Sequence, residues 1–326
     1  MGSSLSRLYK QSFNLPPPAL TEKNLPDQAG KVHLVTGGYT GVGLKLVEIL
    51  YQHNATVYVA GRSQSKANAA ITKLKNDFPR SGGRVEFLQL DLADLPTIKP
   101  AVQAFQQKER RLDVLTLNAG VMHPPAGSKT AQGHDMQVGT NCLGHYLLAI
   151  LLRPILEQTA ATAPVNSVRI TWAGSLEMDL RTPKGGMLWD NKTNAPDYPK
   201  GSSYGYSKVG DRYLAYEYAR RLGKGSKVIS ICFNPGNLKT ELQRHNSAIA
   251  LVIVNRLLLY DAVFGAYTEL WSGWSEDITK DNDGGYVLPW GRLGGNRKDL
   301  EEEMGKSGGI AEKFWDWCER ETKAYL

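Results

Sequence analysis

The residues best suited to chemistry lie in SSYGYSKVGDR, 202–212, which holds two tyrosines two positions apart and one lysine. Side chains four apart on a helix share a face, whereas those two apart do not. Tyr204 therefore faces Lys208, and Tyr206 does not. An ammonium held beside a phenol favours the phenolate and lowers its pKa from the usual value of about 10. Such a tyrosine can give or take a proton near neutrality. A Y-x-x-x-K spacing also arises by chance in long chains, so the elements that carry the pair must decide.

Those elements follow one rhythm. KVHLVTG is an apolar, β-branched run, and a helical pattern follows it from residue 41 to about 53. ATVYVAG is the next strand, then a helix over about 65–78, RVEFLQLD, a helix ending near 110, and LDVLTLNAG. A long helix over about 132–157 leads to SVRITWAG, the helix of Tyr204, KVISICFNPG and a last strand GYVLPW. Short apolar strands joined by helices need right-handed crossovers and a parallel sheet with helices on both faces. The fold class expected is single-domain α/β, doubly wound. Residues 1–30, with LPPPAL and LPDQAG, read as an irregular surface arm. The domain spans 31–300, with 238–275 as a lid over the substrate, and 301–326 form one amphipathic helix whose Phe314, Trp315 and Trp317 pack back onto it.

LVTGGYTGVGLKLVEIL begins as a strand and ends as a helix, with Gly37, Gly41 and Gly43 in the turn. Glycines there allow a tight turn and let the backbone, including Tyr39, Thr40 and Val42, approach a pyrophosphate at the positive helix end. This predicts a Rossmann-type dinucleotide site. After the second strand, where NAD enzymes place an acid on the ribose hydroxyls, the chain reads VAGRSQSK. Arg62 and Ser63, with Lys66 one turn on, can hold a phosphate, so NADPH/NADP is expected over NADH. The alternative is a solvated basic loop.

The 326 residues are 41% apolar and 22% charged, an ordinary globular composition. The net charge of +7 is scattered rather than blocked, which favours a phosphorylated cofactor over nucleic acid. Cys142, Cys232 and Cys318 lie far apart with no C-x-x-C spacing, which argues for a reducing, cytoplasmic setting and against disulfides or a metal site. No N-terminal apolar run resembles a signal peptide, although MGSSLS fits the permissive pattern for myristoylation of Gly2. The apolar stretch 248–267 is interrupted by Asn255, Arg256 and Asp261. It reads as helical turns over an apolar pocket, not as a transmembrane segment.

With T-G-x-x-x-G-x-G at 36–43, N-A-G at 118–120 and Y-x-x-x-K at 204–208, in this order and on these elements, the sequence resembles the short-chain dehydrogenase/reductase family over about residues 30–300. TEKNLPDQAGKV, TAQGHDMQVGTNCLGHYLL, NPGNLKTELQRH and FWDWCE make it most similar to fungal light-induced alcohol dehydrogenases, and more distantly to retinol dehydrogenases and the oxidoreductase part of WW-domain oxidoreductase. The resemblance implies roles. Tyr204 would be the general acid, and Lys208 would lower its pKa and hold the nicotinamide ribose. Ser175 would hydrogen-bond the substrate oxygen, and Asn141 would position a water that relays protons to Lys208. Asp91 and Leu92 would meet the adenine, and Asn118, Ala119 and Gly120 the adenosine ribose. Pro235 and Gly236 would cover the nicotinamide, with Leu238 and Thr240 nearby. Each has a plainer reading: Ser175, preceded by Gly174 where relatives often carry serine, as a turn former; Asn141 as a helix residue bonding backbone; Pro235 and Gly236 as an ordinary turn. Tyr206 receives no role beyond packing.

The implied function is NADPH-dependent reduction of a ketone or aldehyde on a lipophilic small molecule, as in a fungal secondary-metabolite ketoreductase. A sugar-nucleotide epimerase would show G-x-x-G-x-x-G and a larger C-terminal domain. A cofactor sensor would typically have lost the tyrosine or the lysine. A reductase coupled to cyclisation or epimerisation stays open. Substrate choice is expected from Met122 and His123, from the insertion over about 176–202 with Trp189, and from about 238–274. A homodimer through the helices at about 132–157 and 203–223 is the assembly the resemblance implies, subject to the N-terminal arm and C-terminal helix.

Overall fold

The β-branched run after Lys31 forms β1 (Val32–Thr36), buried along its whole length at the centre of the sheet. The computed structural model describes residues 2–13, 15–199, 203–239 and 259–326. β1 is followed by α2 (Gly41–Gln52), β2 (Thr56–Gly61), α3 (Gln64–Asp77), β3 (Arg84–Gln89), α4 (Ile98–Lys108) and β4 (Val114–Leu117). Next, α5 (Met136–Val138) runs through a π turn (Gly139–Gly144) into α6 (His145–Thr162). Then come β5 (Arg169–Ala173), α7 (Glu177–Leu180), the hairpin β6 (Leu188–Asp190) and β7 (Ala195–Asp197), α8 (Ser203–Leu222) and β8 (Ile229–Phe233). The chain closes with α9 (Ala262–Trp274), β9 (Tyr286–Leu288), β10 (Arg292–Gly294), α10 (Lys298–Gly305) and α11 (Ile310–Thr322).

Eight strands form one sheet in the order β10-β9-β8-β5-β4-β1-β2-β3, parallel except for β10. Leu34 of β1 lies opposite Tyr58 of β2 and Leu115 of β4. The strand order turns around between β1 and β4, which opens the crevice where this fold class binds ligands. Both faces are covered, so the central strands are buried residue after residue instead of alternating. One core joins β1 and β2 to α2, α3 and α9, another joins the opposite face to α4, α6, α8 and α11, and a smaller one gathers β5, β8 and β9 around Trp271 of α9. The expected single-domain, doubly wound α/β architecture is the one observed. Among the described residues no helix is long and apolar enough to cross a membrane.

Four local expectations are corrected. The N-terminal arm begins with a helix, α1 (Gly2–Ser12), because Arg7, Leu8, Gln11 and Ser12 fall on one helical face before the proline run starts. Helix 132–157 starts only at Met136, where Asp135 caps the amides of Gln137 and Val138 after a turn at Gly133 with φ of 84°. β9 gains an antiparallel partner, β10, across a turn in which Trp290 and Gly291 both take positive φ. The C-terminal tail holds α10 and α11 rather than one helix, parted at Gly308, whose φ is 67°.

α11 lies on α8 and the π turn. Phe314 and Trp315 are buried there, with the Trp315 ring 4.8 Å from Tyr146 of α6 and 6.3 Å from Tyr218 of α8. The chain's own C-terminal helix thus lies on part of the α6 and α8 face through which a homodimer was expected. Most of the apolar stretch 248–267 and part of the 238–275 lid lie outside the described residues. Within the described part of that lid, Leu238 and Tyr260 form a parallel bridge and the Lys239 N–H donates to the Tyr260 carbonyl at 2.9 Å.

Candidate active site

At the β1/β4 crevice a cleft of about 500 Å³ gathers Gly37, Tyr39, Thr40, Gly41, Val42, Arg62, Ser63, Lys66, Asp91, Leu92, Asn118, Ala119 and Gly120. Glycine is required by the geometry at Gly37, Gly41 and Gly43, the second of which has φ of 56°. Gly37 has φ of 69°. A Cβ on Gly43 would sit 2.5 Å from the Asn118 amide nitrogen, so only glycine lets α2 approach the strand ends this closely. Asn118 in turn donates to the Thr36 carbonyl at 2.9 Å. The Thr36 hydroxyl accepts the Ala119 N–H at 2.9 Å and meets His145 Nε2 at 3.0 Å. Burial pushes His145 down to about 3, so its ring is neutral. Nδ1 donates to the Asn141 carbonyl at 2.9 Å, and Nε2 then accepts from Thr36. The cleft floor is thus tied to the helix that carries Asn141.

At the β2 end, the Tyr39 hydroxyl accepts the backbone N–H groups of Arg62 and Ser63 at 3.2 and 3.3 Å. The Ser63 hydroxyl caps α3 by accepting the Lys66 N–H. Both basic side chains, Arg62 and Lys66, stand exposed at the rim. Asp91 accepts the Ala93 N–H at 2.9 Å, which folds the loop after β3 toward the cleft.

The other end holds the titratable pair. Tyr204 and Lys208 lie one turn apart on α8, with the ammonium 5.7 Å from the phenol ring centre. Ser175, at the end of β5, lies beside the Tyr204 phenol and pulls its pKa down, and its hydroxyl accepts the Glu177 N–H at 3.2 Å. Gly174 cannot be the serine of some relatives, because a Cβ there would lie 2.8 Å from Cys232 Sγ and 3.1 Å from the Phe233 carbonyl. The Asn141 amide holds Val121 at both its N–H (2.9 Å) and its carbonyl (3.1 Å) and donates to Ser207 at 2.9 Å. A Cβ on Gly120 would be 3.3 Å from Asn141 Oδ1 and 3.8 Å from Lys208 Nζ, so N-A-G, Asn141 and Lys208 converge on one spot.

The lowered phenol pKa expected of Tyr204 is corrected. Burial raises it, Lys208 and Ser175 pull it down, Glu177 and Asp211 push it up, and the net shift is upward. Lys208 is buried and would lose its proton more easily on that account, but Asp211 and Tyr204 hold its pKa above the ordinary range. Tyr206 packs edge-on against Tyr198 and is buried, as expected of a residue without a role. Trp189, in the insertion expected to bear on substrate choice, sits on the β6–β7 hairpin with its indole N–H on Asn194 at 3.1 Å.

After β8, Gly236 (φ of 94°) lies against Pro289, and its N–H donates to Asn234. Leu238 is buried, Pro235 is half-buried, and Thr240 lies outside the described residues. Asn234 donates to Gln11 of α1 at 2.9 Å, and Gln11 also binds Asp179 and Tyr286. The N-terminal helix therefore supports the loop beside the cleft.

Residues 31–166 match the model of the short chain dehydrogenase family. A short-chain dehydrogenase/reductase of Phomopsis amygdali is 43% identical, over 99% of this chain and 98% of its own. The chain is a short-chain dehydrogenase/reductase. Another such enzyme, pkfC of Emericella nidulans, is also 43% identical, over 96% of this chain and 99% of its own. Among solved structures, an uncharacterized protein from Mycobacterium Paratuberculosis superposes with a TM-score of 0.64 at 25% identity, covering 93% of this chain and 97% of its own. The RhlG/NADP active-site complex of Pseudomonas aeruginosa shares the fold, with a TM-score of 0.61, 22% identity and coverage of 81% and 95%. This short-chain dehydrogenase/reductase is accordingly an oxidoreductase of a family that uses NAD(P)(H).

Sequence reasoning missed two residues of this site. Gln137 accepts the His123 N–H at 2.9 Å and donates to Ser203 at the start of α8. His123, which the sequence offered for substrate choice, has φ of 49° and sets its ring 5.9 Å from that of Tyr204. Asp211, three residues after Lys208, is the second. Its i, i+3 spacing from a candidate catalytic lysine was the available signal.

Proposed function

We propose that this short-chain dehydrogenase/reductase uses NADPH to reduce a ketone or aldehyde on a lipophilic small molecule, with Tyr204 as general acid. The observation that carries the reading is the meeting of Tyr204, Ser175 and Lys208 beside Gly120, at the end of a glycine-lined cleft. The cleft fits a dinucleotide: Gly37 and Gly43 let the turn and α2 close tightly against Asn118 and Ala119 beside it, and the chain reads no acid next to Arg62 and Ser63 at the end of β2. Gly37 to Gly43 would receive the pyrophosphate, Asp91 and Leu92 the adenine, and Asn118 to Gly120 the adenosine ribose. Arg62, Ser63 and Lys66 would take the 2′-phosphate that distinguishes NADPH. Pro235, Gly236 and Leu238 would cover the nicotinamide.

When bound, the nicotinamide supplies a hydride to the carbonyl carbon. Ser175 hydrogen-bonds the carbonyl oxygen, and Tyr204 gives that oxygen its proton. A phenol held above its ordinary pKa is fully protonated at neutral pH, which suits a donor and hence the reductive direction. Lys208 would hold the ribose, and Asn141, whose side chain fixes the loop at Val121 and whose carbonyl accepts from His145, would take part in the proton relay. A lipophilic substrate is favoured by the aromatic cluster at the lid base, where Trp290 packs 4.7 Å from Tyr260 and 5.6 Å from Phe264, next to the Pro289–Gly236 contact. The full-length fungal relatives fit a place in fungal secondary metabolism, and the three free, buried cysteines fit a cytoplasmic one.

Titration with NADPH and NADH tests the cofactor half. NADPH should bind more tightly, and Arg62→Ala should weaken NADPH by about 10-fold to 100-fold while leaving NADH unchanged. Equal affinity for the two nucleotides in the unsubstituted protein would contradict the assignment.

A further inference from the structure

Beneath the Tyr204–Lys208 pair lies a buried carboxylate for which the proposed reaction has no use. Asp211 is 2% exposed and Lys208 5% exposed. Lys208 Nζ donates to Asp211 Oδ2 at 2.9 Å and to the Ala173 carbonyl at 2.7 Å. An ammonium has three donors, so two point into the protein and one is left for the cleft. On its other side Asp211 Oδ1 lies 3.8 Å from the Cys142 thiol of the π turn.

We propose that Asp211 is a positioning residue of this site: it anchors the Lys208 ammonium from below and offsets its charge, so that Lys208 serves the cleft as a fixed hydrogen-bond donor rather than as a bare cation. This rests on the roles proposed for Tyr204 and Lys208. The pair is enclosed, so its electrostatics are little screened. Around it, Cys142, Cys232 of β8 and Cys318 of α11 are thiols that burial pushes up, and His145 is neutral. Glu177 of α7 is the other charged group that acts on Tyr204, and the His123 ring flanks Tyr204 from the loop after β4. Lys208 lowers the phenol pKa and Asp211 opposes it. Removing the carboxylate charge while keeping an acceptor for Lys208 should release the full effect of the ammonium on Tyr204.

The test needs no substrate. The ultraviolet tyrosinate signal of Tyr204 is obtained as the difference between a protein and its Tyr204→Phe counterpart, titrated with NADPH present. In Asp211→Asn, Tyr204 should ionise about one pH unit lower than in the unsubstituted protein. Asp211→Glu should restore most of the shift. Ionisation at the same pH in both proteins would overturn the proposal. If Asp211→Asn does not fold, the unsubstituted protein decides: Tyr204 ionising above free tyrosine supports an offset ammonium, and ionising well below it refutes one. The two layers separate in turnover. Tyr204→Phe oxidising NADPH as fast as the unsubstituted protein removes the reductase reading and Asp211's role with it. An inactive Tyr204→Phe with an unshifted Asp211→Asn titration removes Asp211's role alone.

Discussion

Tyr204 is held protonated at neutral pH by burial, and this sets the sign of the pH dependence. A proton donor with a raised pKa keeps its proton below that pKa and loses it as the pH climbs through it. The rate of carbonyl reduction should therefore be level through neutrality and fall only on the alkaline side, while alcohol oxidation by the same enzyme should rise over that range. Initial rates in both directions across pH check this, and a reduction rate that already halves around neutrality would contradict it. Gly43→Ala places a methyl 2.5 Å from the Asn118 amide and should weaken NADPH by about tenfold or more, measured by nucleotide titration. The glycines, Tyr204 and Lys208 were legible from spacing, because each acts through position along one element. The raised pKa of Tyr204 was not, since burial and Asp211 are products of the tertiary fold.

At the scale of elements, α1 shows how far a polar side chain can reach. Gln11, buried, joins Asp179, Asn234 and Tyr286, groups drawn from three separate elements or loops. Gln11→Ala would strand those partners and should cost about 1–3 kcal/mol, read from the denaturant midpoint at unchanged m-value. A loss below a few tenths would show that α1 merely rests on the surface. The helical spacing of Arg7, Leu8, Gln11 and Ser12 was present in the sequence, but the proline run after it reads as an irregular arm and masks it. The strands and the long helices were legible for the opposite reason: β-branched runs and apolar periodicity carry on for whole elements. The π turn at Gly139–Gly144 has no such periodic signature, yet it supports Asn141.

For the whole molecule, α11 decides assembly. It places Phe314 and Trp315 over α6 and α8, on the face where a second copy was expected. Light scattering on the eluting protein should give a mass near the 35.9 kDa of one chain. A dimer would require another interface. Trp315→Ala should cost about 3–5 kcal/mol, the usual loss for emptying such a core site, and should expose the α6 and α8 face. The aromatic content of the tail announced that it packs back on the body. What it covers depends on distant elements, and local pattern does not carry that.

The central claim is tested most directly by following NADPH oxidation with a panel of lipophilic ketones and aldehydes, for the unsubstituted protein and for Tyr204→Phe, each saturated with NADPH. The account predicts turnover by the former and a loss of about 10²-fold to 10⁴-fold in kcat in the latter, with NADPH affinity little changed. Equal turnover by the two proteins would contradict it.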